Sequence, residues 1–286
     1  MTNALIMEDD VDWDIRLKSQ LQVFAKAAQA FTQPLAARGG KTLAETHGMG
    51  DISLSGLSSG LSPPVTPYGD NWDVLWLGHC GTEFPNGSQK APEPSGKTQS
   101  YNPPSLRVLI SSDPTVPIPK HLKGHPFALQ DPLGDLYPPH TRVVHASGRT
   151  VCTQAYAVSQ QGARKLLWQF GLQTLTTGWD LMLRDWCDGA YQVGNAGSDP
   201  SASKIGKSSR PPVCVTVQPP LFSHHFGKGA ASSSDISAPG GGFLNKGKEM
   251  TPYIRLSVRM NLERLVQGVG INGRLQELVD QWPDDG

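Results

Sequence analysis

Residues 150–171 read TVCTQAYAVSQQGARKLLWQFG, and the character of the pattern changes once along them. From Val151 to Val158 the stretch is short, β-branched and partly apolar, which predicts a strand. Ser159 follows as a helix N-cap, because its hydroxyl can accept from the orphan N–H groups of a first turn. Beyond it Ala163, Leu166, Leu167 and Phe170 predict the inward side of a helix, and Gly171 predicts its C-terminal stop. A strand running directly into a helix is the repeating unit of α/β proteins, so this stretch predicts an α/β domain.

Working outward, the same alternation recurs. ALIMEDDVDWD at residues 4–14 gives a strand over Ala4 to Met7, then five acids among which Asp12 or Asp14 can cap the next helix. That helix carries Leu17, Leu21, Phe24, Ala28 and Phe31 at alternating spacings of four and three, and Pro34 with Gly39-Gly40 ends it. WDVLWLGHCG centres on an apolar strand, Val74 to Leu77. Leu106 to Ile110 and Arg142 to His145 predict further short strands, Leu181 to Cys187 a short helix, and PVCVTVQPPLFSHHF a β-branched strand that ends at a proline pair. Pro252 after Thr251 suits the first turn of a last helix with Leu256, Met260 and Leu265. Between these elements, residues 36–67, 85–104, 194–211 and 227–250 are rich in Gly, Ser and Pro and are expected to be flexible insertions within one domain, 1–286. The prediction is a three-layer α/β fold whose ligands sit at the carboxyl ends of strands.

Composition narrows the function classes. Lys plus Arg equals Asp plus Glu at 25 each, so no global field favours nucleic acid or an anionic membrane. No apolar run is long enough to span a bilayer, and the first residues lack the basic and apolar regions of a signal peptide. Cys80, Cys152, Cys187 and Cys214 form no CxxC pair, which disfavours zinc and leaves open reduced thiols or up to two disulfides.

The acids of residues 8–14 carry the chemistry. Capping needs one carboxylate, whereas five crowded at a strand end repel one another unless a cation sits among them. A hard divalent ion meets that need and commonly shares its coordination with phosphate oxygens. Alternation along an extended segment lets Glu8 and Asp10 point one way while Asp9 points the other. His224 and His225 follow the proline pair and read either as surface loop residues or as one ligand, since neighbours cannot both face an ion. Asp180 reads as a helix N-cap or as a general base. His79 beside Cys80 makes a poor catalytic pair, and His140 and His145 read as satisfied polar residues.

Five stretches, ALIMEDDVDWD, YGDNWDVLWLGHCG, RVVHASGRTVCTQAYAVSQQGARKLL, GWDLMLRDWCDG and VQPPLFSHH, resemble in order those of glycosyltransferase family 25. That family includes lipooligosaccharide and collagen galactosyltransferases, and the likeness is to its fungal members. The resemblance implies a GT-A fold with a mixed sheet, a UDP-hexose donor such as UDP-galactose, a glycan or glycoprotein acceptor, and manganese or magnesium on the diphosphate. It implies that Glu8, Asp9 and Asp10 stand at the DxD-like motif, with Glu8, Asp10 and His224 as metal ligands. It assigns Asp180 as base of an inverting transfer, and Tyr156 and Ser159 to the floor of the site. Relatives carry further elements before the acidic motif, so the strand of Ala4 to Met7 is expected to have exposed flanks. Golgi residence is implied by the family alone. A non-catalytic glycan- or partner-binding relative and a metal-dependent hydrolase are the competing expectations.

Overall fold

The computed structural model describes residues 2–57, 60–85, 103–124, 131–173, 175–191, 211–228, 249–268 and 277–285. The expected insertions at 85–104, 194–211 and 227–250 lie largely outside these residues.

Among the described residues nine strands form one mixed sheet. They are β1 (Asn3–Met7), β2 (Val11–Trp13), β3 (Gly50–Ser53), β4 (Val74–Gly78), β5 (Leu106–Ile110), β6 (Arg142–Ala146), β7 (Ala155–Ser159), β8 (Cys214–Gln218) and β9 (Phe222–His224). The main path runs β1-β7-β4-β8-β6-β5-β3, and β2 joins through β9, which pairs with the end of β4. Strands β1, β3, β4, β5 and β8 share one direction, while β6 and β7 oppose them. The helices are α1 (Leu17–Thr32), α2 (Leu43–His47), α3 (Leu133–Leu136), α4 (Gln160–Leu166), α5 (Trp179–Cys187) and α6 (Val258–Val266). Among the described residues no helix is long and apolar enough to cross a membrane.

Alternation along β4 separates the layers. Leu75 and Leu77 pack with Phe24, Ala27, Ala28 and Phe31 of α1 on one face. Val74 and Trp76 pack with Leu166 and Phe170, and with Met182, Leu183 and Trp186 of α5, on the other. Burying a Phe or Leu side chain contributes about 1.5–3 kcal/mol, so the two faces hold the α/β sandwich together. Gly78 marks where three strands crowd, since a Cβ there would lie 2.8 Å from Phe222 Cβ and 2.9 Å from Ala155 N. Two disulfides, Cys80–Cys152 and Cys187–Cys214, use all four cysteines, which resolves the alternatives the spacing leaves open.

Several expectations need correction. Residues 36–67 are not one long loop: they contain α2, β3 paired parallel to β5, and a 3-10 turn over Leu54–Gly56. Thr42 and Glu45 close a capping box, a T-x-x-E signal present in the sequence. Asp12 does not cap α1, whose N-cap is Arg16 with no side-chain hydrogen bond, whereas Asp14 Oδ1 accepts from Arg16 N at 2.9 Å in the turn that leads into the helix. Ser159 does cap α4, accepting from Gly162 N at 3.0 Å. The helix beyond it, however, turns into a π-helical turn at Leu167–Gly171, and Ala163 and Leu167 face outward. The cause is Gly162, whose Cβ position lies only 2.3 Å from Asp73 O. That backbone contact rolls the helix so that Gly162, Leu166 and Phe170, four apart, face the sheet. The strand expected from Val151 begins only at Ala155, because Cys152 adopts a left-handed backbone with φ 65°. The last helix starts at Val258, capped by Ser257, rather than near Pro252.

Candidate functional site

β1 delivers its acids to the carboxyl ends of β1, β4 and β8, the end of an open α/β sheet where ligands bind. After Met7 the chain turns and pairs again as β2 with β9, placing Val11 opposite His224. Asp10 O accepts from His225 N at 2.9 Å, which closes the acidic turn against the histidine pair. Asp10 Oδ2 in turn accepts from His224 Nδ1 at 3.0 Å. That hydrogen bond is the largest influence on Asp10 and holds its carboxyl below the usual range, against the cost of burial. Asp10 Oδ1 is buried and has no hydrogen-bond partner.

Glu8 stands beside this pair. Its carboxylate accepts from Thr153 Oγ1 at 3.1 Å, and its backbone N donates to Gln154 O at 3.0 Å. Partial burial pushes the Glu8 carboxyl up, Thr153 opposes the shift, and the charges of Asp10, His224 and Asp180 all reach it. Asp180 lies in the first turn of α5 but is not its cap, which is Gly178. Its Oδ2 accepts from Cys152 N at 3.4 Å. Tyr156 Oη accepts from Trp179 Nε1 at 3.0 Å, linking the start of α5 to β7, and burial followed by the nearby Glu8 charge raises its phenol. Glu8, Asp10, His224, Asp180 and Tyr156 are thus brought to one end of the sheet.

Two of the expected residues are not. Ser159 sits at the opposite end of β7, paired with Asn3, and its hydroxyl donates to Trp72 O at 2.6 Å. Asp9 turns its side chain to solvent, while its carbonyl accepts from Arg259 Nη2.

The remaining acids are structural. Asp12 is fully buried and accepts from Thr251 Oγ1 at 2.7 Å, from Ser257 Oγ and from Arg259 N at 3.1 Å. Asp14, also fully buried, pairs with Arg16 at 2.7 Å and accepts from Leu256 N at 3.0 Å. Both carboxylates bind the C-terminal segment to the acidic turn. His225 belongs to the same lock, its Nδ1 lying 2.9 Å from Thr251 Oγ1. His79 Nε2 donates to Val217 O and His145 Nδ1 to Ala146 O, while the second nitrogen of each ring is unpartnered.

Thr153, Arg259 and the Cys80–Cys152 pairing were not foreseen. Thr153 and Cys152 lie in the stretch expected to be regular strand, and Arg259 carries no local motif, so only tertiary proximity identifies them.

The unpartnered Asp10 oxygen and the adjacent Glu8 carboxylate are hard oxygen donors that fit a divalent cation. His224 gives its Nδ1 to Asp10 and so orients that carboxylate, while its Nε2 lies on the far side of the ring. Among the described residues no group of three or more His, Cys, Asp or Glu side chains is arranged to hold a metal ion. One or two carboxylates completed by substrate phosphates is the arrangement magnesium-type ions commonly use, so the donor set suits an ion that arrives with a phosphorylated ligand. No family model, no curated protein and no solved structure matches the chain.

Proposed function

We propose that the chain is a metal-dependent hexosyltransferase of the family 25 type, transferring a hexose from a UDP-sugar to an acceptor hydroxyl with inversion. The observation that carries this reading is the buried, unpartnered Oδ1 of Asp10, held by His224 beside Glu8, whose carboxylate the Asp180 charge also reaches. Asp10 and Glu8 would hold manganese or magnesium together with substrate phosphate oxygens, and His224 would orient Asp10 through Nδ1. When bound, the ion offsets the charge of the departing nucleoside diphosphate.

Asp180 receives the proton of the attacking acceptor hydroxyl at its carboxylate. Its place in the first turn of α5, with Cys152 N on Oδ2, leaves Oδ1 as the oxygen for that proton. Tyr156 and Trp179 brace the start of α5 against the sheet and so fix the distance between base and acidic turn. The two disulfides support an oxidising compartment, in keeping with a Golgi enzyme.

The reading is tested by incubating the chain with UDP-galactose, manganese and candidate glycan acceptors and measuring UDP release. Transfer should be reduced about 10²–10⁴-fold by Asp180→Asn. UDP affinity should be unchanged in that variant, and an equally active Asp180→Asn enzyme would remove Asp180 from the mechanism.

A second reading, a non-catalytic module that binds a partner, is favoured by β1 itself. Among the described residues it is an edge strand with Leu5 48%, Ile6 39% and Met7 45% exposed, a template for a further strand. Absence of UDP binding by the folded chain would select it.

A further inference from the structure

We propose that the Cys80–Cys152 disulfide is a thiol–disulfide exchange site for a small dithiol, and that opening it releases the backbone that positions Asp180 and Glu8. The two disulfides differ in the access they offer. Cys187 and Cys214 are 2% and 5% exposed, within the core under α5. Cys80 is exposed and Cys152 partly so, and Cys152 N contacts Asp180 of the candidate site. Attack by a thiolate needs a reachable sulfur, so exchange selects the first pair.

Residues 152–154 are what that pair holds in place. Cys152 N donates to Asp180 Oδ2 at 3.4 Å, Thr153 Oγ1 to Glu8 at 3.1 Å, and Gln154 O accepts from Glu8 N at 3.0 Å. Cys152 O accepts from Trp76 Nε1 at 2.8 Å, and the residue is held at φ 65°, a region non-glycine residues disfavour. On the other side, Cys80 N to Val151 O and Val151 N to Gly81 O, both 3.0 Å, and Glu83 N to Gly148 O, 2.8 Å, join the two segments by backbone bonds that do not include Cys152. Opening the disulfide therefore lets Cys152 leave the left-handed region while Val151 stays paired. The acids would lose their shared support without loss of the sheet.

A dithiol thiolate attacks Cys80 Sγ, forms a mixed disulfide and expels the Cys152 thiolate, which takes a proton. The second thiol of the reagent, as its thiolate, then attacks the reagent's own sulfur in that mixed disulfide. Cys80 leaves as a thiolate and is protonated. Two electrons and two protons pass to the cysteine pair, and the dithiol becomes a cyclic disulfide.

The test uses the intact oxidised chain, titrated with dithiothreitol without denaturant, alkylated, and mapped by mass spectrometry. Cys80 and Cys152 should be alkylated before Cys187 and Cys214. Amide exchange at residues 152–154 should rise by about tenfold or more while β4 and β8 stay protected. The Cys187→Ser/Cys214→Ser variant should keep the response and Cys80→Ser/Cys152→Ser should lack it. Alkylation of all four together, or of Cys187 and Cys214 first, overturns the exchange site, and unchanged exchange at 152–154 overturns its role as a support. The effect on ligand binding rests on the transferase reading: UDP with manganese should bind the selectively reduced chain at least about tenfold more weakly. No UDP binding by the oxidised chain would sink that reading and leave the exchange site to be decided by alkylation alone.

Discussion

His224 Nδ1 lies 3.0 Å from Asp10 Oδ2, while Asp10 Oδ1, buried, has no hydrogen-bond partner. One oxygen of the carboxylate is committed to orienting the group and the other is left available. Burying an anionic oxygen without a partner is costly, and under the proposed function a bound cation would offset that cost at Oδ1. The same acidic run contains the opposite case two residues later, where Asp12 is fully satisfied.

Asp12→Ala should be the most destabilising change in that run. It strips the acceptor from Thr251 Oγ1, Ser257 Oγ and Arg259 N inside the core. Each donor left buried and unpaired costs about 1–3 kcal/mol, so urea denaturation should show a loss of about 3 kcal/mol or more. A loss below about 1 kcal/mol would mean that the C-terminal segment is not held through Asp12.

Gly162→Ala should also destabilise, by about 1–3 kcal/mol, although alanine is the better helix former. The added Cβ would meet Asp73 O at 2.3 Å, and backbone cannot yield as a side chain can. Gly171→Ala offers the comparison, because its Cβ would meet only the end of the Leu167 side chain. Equal melting temperatures for the two variants would refute the account of why Leu167 points outward.

Stability should fall with acid between pH 6.5 and about 4. Burial lowers His79 from 6.5 to about 4 and His145 from 6.5 to about 3, so below pH 6.5 the unfolded chain binds protons that the folded chain refuses. Their contribution is complete above 6.5 and is lost as pH falls toward the folded values. Asp188 acts in the other sense: burial raises it from 3.8 to about 6, so its contribution is present below 3.8 and is lost as pH rises through about 6. Between those values two histidines oppose one carboxyl, leaving a net slope of about 1.4 kcal/mol per pH unit per unbalanced proton. Asp188→Asn should therefore raise the urea midpoint at pH 7.5 and steepen the loss below pH 6. An unchanged midpoint at pH 7.5 would contradict this assignment.

Strands β1, β4, β5, β6, β7 and β8, helix α1 and the cap at Ser159 were legible because each follows from period or from one capping residue within a few positions, whereas the short strands β2, β3 and β9 lie in stretches that read as capping acids or loop. The turn at Cys152 was not, since it depends on a disulfide partner 72 residues away. Likewise Leu167 fits an inward helical face until Gly162 is seen against Asp73, a contact no local pattern encodes. Of the site, Glu8, Asp10, His224 and Asp180 were readable from the five ordered stretches, and the structure brings them together. Ser159 belongs to the same signature stretch but faces the other end of the sheet, because a strand of five residues separates its ends by roughly 13–17 Å.

The most direct test is calorimetric titration of the chain with UDP in the presence of manganese, beside Asp10→Asn. The substitution preserves size and removes the charge from the unpartnered oxygen. Saturable binding by the chain, weakened about tenfold or more in the variant, is the predicted result. No binding by a well-folded chain, or equal binding by both, would contradict the claim that Asp10 holds a metal–diphosphate ligand.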